Sequence, residues 1–84
     1  MANLLYFAWM RERMNRGGEH LPLPPGVNTV GALIAWLQAR DPAGAAAFAH
    51  PEMVRAAVNQ AFATPGTPIA DKDEIAFFPP VTGG

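Results

Sequence analysis

The segment Phe77-Phe78-Pro79-Pro80-Val81-Thr82-Gly83-Gly84 carries the chain's most distinctive chemistry, a main-chain carboxylate at the tip of an arm with little side-chain bulk. Glycine lacks a Cβ and reaches backbone conformations closed to other residues. Gly83 and Gly84 can therefore thread an extended chain through a narrow channel and present Gly84 to a partner's active site. Pro79 and Pro80 fix φ and carry no backbone donor, which ends sheet pairing and favours an extended tail over residues 79–84. Phe78, preceding a proline, is itself biased toward β geometry. A glycine pair alone is what a frayed terminus also looks like. The whole string, apolar strand, two prolines and two glycines in succession, fits a reagent arm.

The remaining reactive residue types offer no rival centre. The chain has no cysteine, which removes disulfides, thiolate-bound metals and a catalytic thiol. His20 and His50 are isolated, with no acidic or imidazole partner at ligand spacing on a shared helix, so they read as surface residues and no metal site is expected. Arg11 and Glu12 lie in a charged stretch that reads as a solvated connection; their functional version is docking to a partner. Gly17-Gly18 lacks the spacing of a phosphate loop and reads as a turn. Tyr6, Trp9 and Trp36 are large fillers that a small core needs.

These groups must be positioned by a single domain of 84 residues, one that buries only about 60% of its unfolded surface. Half of the residues are hydrophobic and 15% charged, so apolar surface is expected to remain outside the core and to mark a protein partner. A formal net charge of -1 with interspersed signs gives no electrostatic footprint for nucleic acid or an anionic membrane. The apolar run Leu4 to Met10 is too short for a signal segment or a membrane span, and a cytoplasmic location is expected.

Leu4 to Trp9 is an unbroken apolar and aromatic run, which predicts a central strand covered on both faces. Arg11 to Gly18 should then be an exposed connection that reverses the chain. Glu19 to Leu23 alternates, but Pro22 and Pro24 cannot donate to a ladder, so this strand belongs at an edge. Val30, Leu33, Ile34 and Leu37 fall at i, i+3, i+4 and i+7 and predict the main helix, capped by Asn28 or Thr29 and stopped by Pro42. Ala43 to Ala49 suggests a short further turn. Val54 to Val58 alternates into a turn at Asn59-Gln60, Ala61 to Ala63 is at best a brief strand, and Ile75 to Phe78 is the last one. The class is α+β, a helix against one face of a sheet.

This order resembles the ubiquitin-like β-grasp fold, with first and last strands parallel at the middle of a mixed sheet. The chain further resembles the small subunits of molybdopterin synthase, a family of ubiquitin-like sulfur carriers. The resemblance rests on Tyr6-Phe7-Ala8 with Arg11-Glu12, Thr29-Val30 with Leu33, Ala57-Val58-Asn59-Gln60, and above all Asp73 through Gly84. Lys72 departs from the pattern, in which glycine usually precedes the Asp-Glu pair. The resemblance implies that a partner akin to ubiquitin-activating enzymes uses ATP to adenylate the Gly84 carboxylate, that sulfur donation makes a thiocarboxylate there, and that the large subunit receives the tail. It implies a heterotetramer, with no cofactor held permanently by this chain and no catalysis by it alone. Residues Pro79, Pro80, Val81, Thr82 and Gly83 would be the inserted segment.

Two other readings remain open at this stage. A carrier for thiazole synthesis or protein tagging would have the same activated terminus and a different acceptor, and a plain β-grasp interaction module would have a tail without chemistry. Because successive strand residues face opposite ways, one of Phe77 and Phe78 should enter the core and the other should contact a partner on the open face, together with Phe62.

Overall fold

The computed structural model describes residues 1–80. Five strands, β1 (Ala2–Tyr6), β2 (Gly18–Leu21), β3 (Arg55–Val58), β4 (Ala61–Ala63) and β5 (Glu74–Phe78), form one mixed sheet in the order β2-β1-β5-β3-β4. β1 and β5 are parallel, with Tyr6 opposite Phe77, and the other pairs are antiparallel. Three helices, α1 (Trp9–Met14), α2 (Val30–Arg40) and α3 (Pro42–Ala47), and a 3₁₀ turn at Pro51–Met53 make up the other elements of the described residues. This is the ubiquitin-like β-grasp arrangement: the main helix α2 lays Val30, Leu33, Ile34 and Leu37 into the same core as Leu4, Tyr6, Ile75 and Phe77.

The first strand ends earlier than the apolar run suggests. Ala8 adopts φ 55 and breaks the extended chain, and Trp9–Met14 turns into α1 where an exposed connection was expected. The cause is an i, i+4 pair: Met10 and Met14 are both fully buried, while Arg11, Glu12 and Arg13 between them face outward and disguise the period. Asn15, in the left-handed region at φ 60, closes the helix. The edge strand is likewise shorter than Glu19 to Leu23, stopping at Leu21 before Pro22. Beyond it, the Leu23 amide is taken by Asp71 Oδ1 at 2.9 Å.

Thr29, rather than Asn28, caps α2, its hydroxyl accepting from the Ala32 amide at 3.1 Å. Asp41 then caps α3 by accepting from the Gly44 amide at 2.7 Å. The alanine-rich segment is thus a real helix, packed so tightly on α2 that a Cβ at Gly44 would overlap the Leu37 carbonyl. It delivers Phe48, fully buried, edge-on to Phe77 at 5.1 Å between ring centres. Asn59 and Gln60, at φ 51 and 70, form the two-residue turn of a tight β3–β4 hairpin. Lys72 also takes a positive φ, 92, a conformation that glycine adopts without strain.

Candidate functional site

Parity along β5 separates the two phenylalanines. Ile75 and Phe77 are buried on the helix side, Phe77 stacking on Tyr6 with ring centres 6.2 Å apart. Phe78 turns to the open face, where its ring meets that of Phe62 at 6.1 Å. Phe62 is 87% exposed, so this aromatic pair stands on the surface and contributes little to the core.

The strand registers extend the pair into a band. Gly18, Leu5, Ala76, Ala57 and Phe62 lie opposite one another in sequence across all five strands. Because β side chains alternate, the five share the open face, with small residues at the middle and Phe62 as a wall at one end. The flanking row toward the end of β5 holds Phe78 opposite Arg55, and the row on the other side holds His20, Asn3 and Glu74. Phe7 continues the alternation beyond Leu5 and is 49% exposed. Sequence reading placed Phe7 inside a strand covered on both faces; the unbroken run arises because the open face is itself apolar, a pattern that periodicity cannot distinguish from double burial.

β5 ends beside this band. The Phe7 amide donates to the Phe77 carbonyl at 3.1 Å, the last bond tying β5 to its parallel neighbour, and Pro79 and Pro80 follow Phe78 directly. Proline offers no donor with which to continue the ladder. The other end of β5 is held by Asn59, whose Oδ1 accepts from the Glu74 amide at 3.0 Å while its own amide donates to the Glu74 carbonyl at 2.8 Å. Asn59 Nδ2 also reaches Asp73 Oδ1 at 3.0 Å. The Val58-Asn59-Gln60 and Asp73-Glu74 motifs are therefore two halves of one clamp on the strand that carries the tail. Val81, Thr82, Gly83 and Gly84 lie outside the described residues. Arg11 sits exposed on α1 with its guanidinium beside Gly17 and takes no part in the aromatic pair.

On the helix side, sequence reading missed a charged hub. Glu19 Oε1 accepts from Arg40 Nη1 at 2.7 Å and Arg16 Nη1 at 3.2 Å, and its Oε2 accepts from Arg40 Nη2 at 2.8 Å and the Tyr6 hydroxyl at 2.7 Å. The Arg40 hydrogen bonds hold the Glu19 carboxyl below its ordinary range, and the same pairing raises Arg40. Burial, reinforced by the bond to Glu19, pushes the Tyr6 hydroxyl up, so that it stays a neutral donor. With all four oxygen contacts committed, the hub ties β1, β2 and the end of α2 together and leaves no carboxylate poised as a base. Among the described residues no three His, Asp or Glu side chains gather as metal ligands, and no helix is long and apolar enough to cross a membrane.

The geometry thus offers an apolar face and a clamped strand ended by two prolines, and comparison with known proteins gives it a family. The ThiS family model matches residues 4–84. The chain belongs to the ThiS family. Two relatives align along essentially their whole length. One, the molybdopterin synthase sulfur carrier subunit of Escherichia coli, is 38% identical over 84 residues, covering 100% of both chains. The other, the molybdopterin synthase sulfur carrier subunit of Mycobacterium tuberculosis, is 37% identical over 83 residues, 98% of this chain and 95% of that one. Among solved structures, SAMP1 from Haloferax volcanii superposes with a TM-score of 0.72 over 99% of this chain and 98% of its own, at 24% identity, a likeness that speaks for the fold.

Proposed function

We propose that this ThiS-family chain is the sulfur carrier subunit of a molybdopterin synthase, working in the cytoplasm and carrying sulfur as a thiocarboxylate on Gly84. The observation that carries the reading is the open apolar band across the sheet, flanked by the Phe62–Phe78 pair, with Pro79 and Pro80 following Phe78 directly in a sequence that goes on to a diglycine. A partner covering that face is placed to receive the tail. The full-length likeness to two molybdopterin synthase sulfur carrier subunits supports the choice of pathway.

A carboxylate is a poor electrophile, so the tail must be activated before it can accept sulfur. An adenylating partner joins the Gly84 carboxylate to the α-phosphate of ATP and releases pyrophosphate; a sulfur nucleophile then displaces AMP to leave the thiocarboxylate. The large subunit, in a heterotetramer with this chain, holds Phe62 and Phe78 at its docking face and takes Val81, Thr82, Gly83 and Gly84 into its active site. There the thiocarboxylate sulfur passes to the pterin precursor, and Gly84 returns to a carboxylate once water or its equivalent supplies oxygen. Catalysis belongs to the partners, and ATP is consumed by the activating one. Arg11 on α1 is a peripheral docking residue in this reading.

The test is acceptor choice. Chain loaded with thiocarboxylate should bind a molybdopterin synthase large subunit and convert the pterin precursor, and should leave a thiazole synthase unsupplied. Supply of the thiazole enzyme in place of the pterin one would move the chain to the thiamine branch of the same family.

A further inference from the structure

A groove of about 400 Å³ opens beside the free edge of the sheet, between α2 and the β3–β4 hairpin. It exists because small residues face each other there: Gly31 and Ala35 on α2 against Ala56 and Ala63 on the hairpin. Val30, Ile34, Val54 and Pro65 make its walls apolar. The Gly31 amide donates to the Pro65 carbonyl at 2.8 Å, which fixes the start of α2 to the loop that follows β4 at one end of the groove.

The strand on its rim is an unprotected edge. Sheet edges are ordinarily blunted by charge, proline or a bulge. β2 has Glu19, His20 and the immediately following Pro22, whereas β4 reads Ala61-Phe62-Ala63, without charge, and its nearest following proline, Pro65, is two residues beyond the strand. The two-residue turn makes Val58 and Ala61 the closing hydrogen-bonded pair, and alternation then makes Phe62 the non-bonded position of the β3–β4 ladder. The Phe62 amide and carbonyl consequently point outward. Among the described residues no backbone group pairs with them.

Phe62 belongs at once to this edge and to the open apolar band, so a partner that covers the band has reached the edge already. We infer that an extended segment of that partner pairs its backbone with β4 at Phe62 and sets one apolar side chain into the groove between α2 and the hairpin. An added strand presents alternate side chains to the two faces. One neighbour then lies beside the Phe62 ring on the open face, and the next enters the groove. With one residue of β4 offering outward groups, two backbone bonds give register, and the apolar side chain supplies most of the affinity. This inference rests on the reading of the chain as a synthase subunit, with the large subunit as the partner.

Two variants address the two halves of the contact. Phe62→N-methylphenylalanine, made by chemical synthesis, keeps the ring and removes only the outward donor. Ala35→Phe, at an exposed position of α2, fills the groove from its solvent side. Affinity for the purified large subunit is measured by calorimetry, with melting temperature and self-association of each free variant alongside. Each variant should bind about tenfold more weakly than the unmodified chain at unchanged melting temperature, on the scale of one net hydrogen bond or one lost apolar anchor. Unaltered affinity of both variants for a large subunit that binds the parent chain overturns the edge contact and leaves the functional reading standing. A shift confined to self-association overturns it too, by assigning the groove to a second copy. Failure of the parent chain itself to bind refutes the functional reading and this inference with it.

Discussion

Glu19→Gln isolates the charged hub, because it removes the charge and one acceptor while keeping the shape. In the parent chain the carboxylate accepts four hydrogen bonds from three residues, two of them a bidentate fork from Arg40 at 2.7 and 2.8 Å. The Glu19 side chain is 15% exposed and that of Arg40 21%, between a surface pair and a buried one. Exposed pairs contribute about 0 to 1 kcal/mol, and stripping one partner from a buried pair costs about 3 to 5 kcal/mol. The intermediate setting places the loss at about 2 kcal/mol, which for a domain of this size lowers Tm by roughly 10 °C. Sign and pH window follow from the depressed Glu19 carboxyl. Its stabilisation is complete above the unfolded value of about 4.3 and is lost as pH falls through the lower folded value. Thermal melts of parent and variant should therefore differ fully near neutrality, begin to approach one another as pH falls below the unfolded value, and meet once it has passed the lower folded one. Partner binding below the melting range should stay unchanged, since the hub lies on the side of the sheet away from Phe62 and Phe78. A Tm difference of only a degree or two at neutral pH would mean that desolvation cancels the Arg40 fork, and the stabilising role of the hub would be refuted.

Phe62→Ser should weaken binding to the large subunit by about 2 kcal/mol, some thirtyfold, with Tm nearly unchanged because the ring is 87% exposed; titration calorimetry beside a thermal melt reads both. Lys72→Gly should raise stability by up to about 1 kcal/mol, because φ 92 is strained for any side chain and unstrained for glycine; the shift in urea midpoint at constant slope measures it.

What the sequence disclosed was local, and what it withheld depended on distant partners. The chemistry proposed for the tail rests on eight consecutive residues, and the parallel central pair, read from two apolar runs, is the one at the middle of the sheet. Phe77 and Phe78 could be recognised as a core residue and a surface residue, but only the register with Tyr6 and Arg55 assigns which is which. Met10 and Met14 encode α1 by a single i, i+4 pair, too short a pattern to outweigh the charges around it. The hub was hidden more deeply, since Glu19 lies 13 residues from Tyr6 and 21 from Arg40 and each alone resembles an ordinary surface or core residue. Phe7 and Leu5 read as residues of a doubly covered strand because this sheet is apolar on its open face as well as its buried one, and such a strand carries no alternation to read.

The central claim, sulfur carriage on the terminal glycine, is tested most directly by intact-mass and fragment mass spectrometry of the chain after incubation with its adenylating partner, ATP and a sulfide source. The intact chain should gain the mass of one oxygen replaced by sulfur, localised to Gly84, and a chain lacking Gly84 should gain nothing while melting as the parent does. Equal modification of the truncated chain, or sulfur found anywhere other than the terminal carboxyl, would contradict the account.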